Sequence, residues 1–215
     1  MISISARLLE SNAEISRIIL ENIRDYLSKI VLDVQPSVSS RIFFLLTRVL
    51  KQEPEYQSLK NGKLRAGFGL PDTDSVDQVV NSLANSMEIE NKPLTVNRSG
   101  ITGGFKFNII KSDDLSGVID FYFANITTEK GFVIPWLRWL TLSGNDLLVL
   151  DYDIKFGPFP NSRSGMAVMQ PSTGASWRVP PEFVGTIDNN WITRAISRIE
   201  NDIYDIMIQS IQDRL

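Results

Sequence analysis

Residues 157–196, GPFPNSRSGMAVMQPSTGASWRVPPEFVGTIDNNWITRAI, constrain this chain more than any other stretch. They hold five of its ten prolines (Pro158, Pro160, Pro171, Pro180, Pro181) and two of its four tryptophans (Trp177, Trp191). Proline fixes φ and carries no amide hydrogen, so this punctuation predicts neither one helix nor one long strand. The reading is a loop over 157–165, a short strand at 166–170, a turn at 171–175, a strand entry at 176–179, and an irregular arm over 180–190 that leads into a helix. Such an arm beside a sheet suits either an active-site loop or a contact with another protein chain, because its prolines reduce the entropy lost on ordering.

The rest of the chain has to supply the core that this stretch does not. At 215 residues, 43% of them apolar and 22% charged, there is material for a single α+β domain. The net charge of −3 argues against a general nucleic-acid coat. The chain contains neither cysteine nor histidine. Thiolate chemistry, disulfides and the Ser-His-Asp triad are therefore excluded, while carboxylate chemistry remains open. The first residues lack the basic-then-apolar order of a secretory signal, and the apolar run 131–142 is too short to span a bilayer. The expected setting is a cytoplasm, with no membrane partner.

Apolar residues at Ile15, Ile19, Ile23, Tyr26, Ile30 and Val34 follow steps of three and four. They predict a helix over 11–34, with Ser11 and Glu14 as a capping box. Its stripe suits packing on the core or on a neighbouring subunit. Pro36 predicts a break at 33–36, and Val38, Ile42, Leu45, Leu46 and Val49 restart a helix over 37–51. Residues 1–52 thus read as a helical hairpin. Residues 53–70 read as loop and turn with a solvated basic cluster (Lys60, Lys63, Arg65), and 71–87 as a helix capped by Asp72 or Asp74.

Over 87–185 the period shifts towards two. Strands are predicted at 87–96, 105–110, 117–123 and 146–156, with Asp113-Asp114 in a connection and SGITGG (99–104) as a turn. Trp136 and Trp139 share a helical face in 132–142. In the last of these strands Leu148, Leu150, Tyr152 and Ile154 are expected to be buried, opposite Asp151 and Asp153. Residues 188–215 read as one long helix capped by Asp188 or Asn189, with a seam of Ile192, Ile196, Ile199, Ile203 and Ile206. The expected architecture is a central, mostly antiparallel sheet flanked by the N-terminal hairpin and the C-terminal helix.

Three constellations bear on chemistry. Asp151 and Asp153, with Asp120 and Asp146 nearby in sequence, are either a wet strand face or the carboxylates of a glycan hydrolase with a bound cation. Trp136, Trp139 and Trp177 are either core aromatics or a sugar-stacking platform of a carbohydrate-binding module. Arg163, between Ser162 and Ser164, is either an unpartnered loop cation or a fork for an acidic group.

The runs SRSGMAVM, SWRVPPEF and DNNWITRAI, with a weaker echo in LKNGKLRAGFGLPDTD, resemble virion structural proteins of long-tailed bacteriophages, nearest to the head–tail connector or neck (tail-completion) group. The similarity covers roughly the C-terminal third of the chain. It implies a non-enzymatic subunit of a closed ring at the head–tail junction of the virion, of roughly six or twelve copies, with no cofactor and no metal. The implied neighbours are portal, adaptor or tail-terminator proteins, with DNA passing non-specifically through the channel. Tail-terminator and baseplate proteins are the alternatives within that class. On this reading Phe159, Arg163, Trp177, Arg178, Phe183 and Trp191 are the expected interface residues. Asp151 and Asp153 are then candidates to face the lumen and repel phosphates.

Overall fold

A computed structural model describes residues 11–108, 117–144 and 146–215. The chain begins with a single helix, α1 (Asn12–Gln52), opened by the expected capping box: the Glu14 amide donates to Ser11 Oγ and the Ser11 amide donates to Glu14 Oε2 at 2.9 Å. The predicted break at 33–36 does not occur, and the N-terminal hairpin is one continuous helix with Pro36 inside it. The reason is where the proline points. Pro36 and Leu32 both lie on the exposed side, so water reaches the Leu32 carbonyl that the proline leaves without a donor. Val34 and Val38 are buried on the other side and hold the helix across the gap.

Residues 53–70, read as loop, form two short helices, α2 (Pro54–Asn61) and α3 (Lys63–Phe68). Pro54 sits in the first turn of α2, where its missing donor costs nothing. The two helices meet at Gly62, where a Cβ would stand 2.7 Å from the Ser58 backbone. Ser58 Oγ accepts from the Leu64 amide at 3.0 Å, and α3 ends on the left-handed Gly69. Next come α4 (Asp74–Asn85), begun at Thr73 rather than at either aspartate, and the antiparallel ribbon of β1 (Glu88–Asn97) and β2 (Gly100–Asn108). Residues 100–104 belong to β2 and not to a turn. Asp113-Asp114 lies outside the described residues.

Residues 117–119 are helical and Tyr122–Ala124 is a 3-10 turn, so the predicted central strand over 117–123 is not formed. Val118 and Ile119 are instead buried from a helical turn. The minimal strands β3 (Ile126–Thr127) and β4 (Val133–Ile134) precede α5 (Trp136–Thr141). Then follow β5 (Val149–Phe156) and β6 (Ala167–Trp177). The C-terminal helix is divided at Ile199 into α6 (Trp191–Arg198) and α7 (Glu200–Gln212), and Asn190 provides its cap in a box with Thr193.

The fold is α+β and its strands pair antiparallel. They make three separate two-stranded ribbons among the described residues, and no central sheet unites them. Helices build the core. Leu46, Leu50, Leu59, Leu64, Phe68, Leu83, Trp136, Leu137, Leu140 and Trp191 are its largest fully buried side chains, along with Ile42 and Leu70. Each such Leu or Ile contributes about 2 kcal/mol through burial. The expected isoleucine seam holds despite the division, with Ile192, Ile199 and Ile203 buried. α7 runs back along α1, tied by Arg41 to Ser210 at 3.0 Å and by Arg214 to Asp33 at 3.2 Å.

Candidate assembly surfaces

The proline-rich stretch forms one arm of a long hairpin. β5 and β6 pair from Val149 opposite Trp177 to Phe156 opposite Ala167. Contrary to expectation, β6 passes through Pro171 without ending. A ribbon has free edges, so a missing donor there breaks no further ladder. The register slips between Leu150 and Tyr152. Asp151 takes a left-handed φ of 59° there, and its Oδ1 accepts the Gly174 amide at 3.0 Å. At the far end, residues 157–166 close on themselves: the Gly157 amide donates to the Met166 carbonyl and that of Phe159 to Gly165.

One side of this hairpin seats on α3. The Trp177 indole meets Phe68 edge-on at 5.5 Å and covers Gly67, where a Cβ would lie 2.9 Å from the ring. The Arg163 guanidinium lies over Gly69, within 3.0 Å of where a Cβ would be. Burial lowers the Arg163 pKa below the usual arginine range, with Glu129 opposing. Phe159 and Phe183 are half-buried, Phe183 against the core, while Arg178 is exposed. Trp191 is 1% exposed and is a core residue, so it is not a contact.

Asp153 is exposed, and Asp151 spends its carboxylate on the bulge. Among the described residues no three acidic side chains come together to hold a metal ion. Nor do the tryptophans form a platform. Trp136 is fully buried and donates its Nε1 hydrogen to the Phe123 carbonyl at 3.1 Å; Trp136, Trp139 and Trp177 all converge on Phe68.

The face of β5 expected to be buried is only partly covered: Leu148 packs against the core and Ile154 is half-buried. Leu150 is 62% exposed, and Tyr152, Phe156 and Met169 are exposed as well. Beside it an open groove of about 630 Å³ runs between α3 and the hairpin loop, lined by Gly62, Lys63, Ala66, Phe156, Pro158 and Met166 among others.

A second open apolar surface lies at the other end of the molecule. The core stripe of α1 begins at Ile30, yet the apolar pattern continues upstream through Tyr26, Ile23, Ile19 and Ile15. None of the apolar side chains between Asn12 and Lys29 is buried or packs against the core. By length and composition α1 could cross a membrane. Its least charged segment, residues 30–47, is the half that supplies the core, whereas the projecting half carries Glu14, Arg17, Glu21, Arg24, Asp25 and Lys29.

Between these surfaces lies a polar joint that sequence reasoning missed. Glu53 and Glu55 flank Pro54 and are 4% and 2% exposed. Arg198 pairs with Glu53 and Arg194 with Glu55, so α6 is clamped to the start of α2. Burial raises the Glu55 pKa, opposed by its own backbone amide and by Arg194. Next in the chain, Tyr56 donates to Asp77 at 2.7 Å, and Lys60 and Lys51 pair with the same carboxylate at 2.6 and 3.0 Å. Burial works to raise the Asp77 pKa, but hydrogen bonds from Lys60, Tyr56 and Lys51 prevail and hold it at about 2. The four-residue spacing of Arg194 and Arg198 was the available signal for the joint.

Comparison with protein-family models, with curated proteins and with solved structures finds no match for this chain.

Proposed function

We propose that this protein is a non-enzymatic structural subunit of a tailed phage particle, a head–tail connector or neck component that closes into a ring. One observation carries the reading. The helical body is well packed, yet two elements, the first half of α1 and the β5–β6 hairpin, keep large apolar side chains in solvent. Exposed apolar patches rimmed by polar residues mark protein contacts. Two of them at opposite ends of one chain suit head-to-tail association, which closes into a ring when the rotation permits. The motif resemblance in the C-terminal third supports a position at the head–tail junction, against portal, adaptor or terminator proteins. DNA then crosses the ring without sequence readout, and Asp153 is the acidic side chain free to face a channel.

Light scattering behind a sizing column, with negative-stain images of the same fraction, tests this. Closed rings of uniform size at high protein concentration support it. A mass equal to one chain at every concentration, with no rings in the images, counts against it.

A further inference from the structure

We infer that the small notch formed by Arg163, Ser164 and the C-terminal end of α3 binds a single carboxylate carried on a short aliphatic stem. The inference concerns one copy of the chain and stands independently of the ring reading.

The fold holds the arginine in place. Arg163 sits in the loop closed by the backbone bonds of Gly157 to Met166 and Phe159 to Gly165. Two tighter turns bracket it: the Ser162 amide donates to the Phe159 carbonyl at 2.9 Å, and the Gly165 amide to the Ser162 carbonyl at 3.1 Å. Its guanidinium lies over Gly69, where a Cβ would stand 3.0 Å from Nη2. Gly69 is already required for its φ of 66°, so the cap that ends α3 also clears a seat for the guanidinium.

So placed, the arginine has nothing to bind among the described residues. The carbonyls at that end of α3, Arg65 and Ala66, already accept from the Leu70 and Gly69 amides. Glu129 acts on Arg163 through its charge alone and makes no hydrogen bond to it.

A second donor faces the same notch. Ser164 is 8% exposed and lines it. Its Oγ accepts the Met166 amide at 3.2 Å, which leaves the hydroxyl hydrogen uncommitted. The Ser162 hydroxyl, by contrast, is spent on the Phe159 carbonyl at 2.9 Å. The notch therefore offers free hydrogens from Arg163 and Ser164, and no carboxylate lines it. That donor set selects an oxyanion.

Size and walls select which one. The notch holds about 150 Å³, half of the ~300 Å³ at which ordinary ligand pockets begin, so it takes one small group. Ala66, Ile154, Ala167 and Val168 supply apolar wall. A phosphate, polar on every side, loses hydration against such a wall without compensation. A carboxylate lays its two oxygens on the planar fork and its stem on the wall.

The arginine Nε–Hε signals of the isotope-labelled full-length chain report binding, the Arg163 signal being the one absent from Arg163→Lys. Sodium propionate at constant ionic strength is expected to move that signal to saturation, and neutral propionamide is not. Phosphate should need at least about tenfold more. Followed by the loop amides, propionate affinity should fall about tenfold or more in Arg163→Lys, which keeps the charge and loses the fork. It should fall about threefold in Ser164→Ala, with native circular dichroism in both variants. Two peptides separate the sources of the acid: acetyl-Ala-Glu-Ala-amide offers only a side chain, and acetyl-Ala-Ala only a chain terminus. Tighter saturation by either supports the site with a partner protein as its source, and saturation by propionate alone supports it with a free acid.

A shift that grows without saturating would overturn the inference. So would phosphate binding as tightly as propionate, or an affinity unchanged in both variants. Closed rings that bind no carboxylate would overturn it while leaving the ring reading in place.

Discussion

Arg194 of α6 donates to the buried carboxylate of Glu55 in α2, two residues separated by 139 positions in the chain. With Arg198 on Glu53, it fastens the C-terminal helix to the point where α1 ends. Because Glu55 is almost wholly enclosed, removing its partner leaves a charge with nowhere to go. Arg194→Met is expected to cost about 3 kcal/mol, read as a lowered urea midpoint with an unchanged slope. Adding Glu55→Gln should restore part of it. An undisturbed midpoint in the single variant would mean that the pair is not buried in solution.

The acid dependence should have two opposed parts. Asp77 has a folded pKa of about 2 against an ordinary 3.8, so the unfolded chain binds its proton first. Its contribution is present above the ordinary value and lost as pH falls from about 4 through about 2, a change of roughly 1–2 kcal/mol after allowance for solvent screening. Glu55 runs the other way. Its folded pKa is raised, so its contribution is present below pH 4.5 and declines as pH rises through the folded value. Urea midpoints from pH 2 to 7 should show the acid loss shrinking in Asp77→Asn and the decline above pH 4.5 shrinking in Glu55→Gln.

Asp151 separates a backbone role from a charge role. At φ 59° a side chain is strained, and its carboxylate repays this by holding the Gly174 amide. Asp151→Gly relieves the strain while losing the bond and should fall within about 0.5 kcal/mol of the native chain. Asp151→Val combines strain with the lost bond and should cost about 2 kcal/mol or more. Thermal midpoints of the two variants decide it; equal effects would remove the bulge from the explanation.

Pro36 stands inside α1 against helical preference. Since its side chain is exposed, Pro36→Ala should restore the amide bond to Leu32 without disturbing the core and raise stability by about 1–3 kcal/mol. A lower melting temperature in this variant would show that the proline is needed where it stands.

The sequence made its strongest signals readable. The stripes of α1, α4 and the C-terminal helices, the Ser11 cap and the strand character of β1 and β5 followed from periodicity and turn chemistry. What stayed hidden has identifiable causes. α2 and α3 are too short for a periodic signal and depend on Ser58, Gly62 and Gly69 meeting their neighbours. Pro36 was misread because its effect depends on which side of the helix faces water. The exposed face of β5 was misread because alternation alone tells which residues share a face, not which face is covered. Val118 and Ile119 are β-branched, yet they are buried from a helical turn. Of the expected interface residues, Trp177 and Trp191 serve packing within the chain, Trp177 against Phe68 and Trp191 in the core.

The unbroken backbone of α1 has a mechanical consequence. One rigid rod carries both the core seam and the projecting face, so the two share a single rotational phase about the helix axis. Whatever grips Ile19 also fixes the roll of Val38 and Leu46 inside the body, and torque at one end arrives at the other. Pro36, at the junction with one hydrogen bond fewer, is the compliant coupling in that shaft.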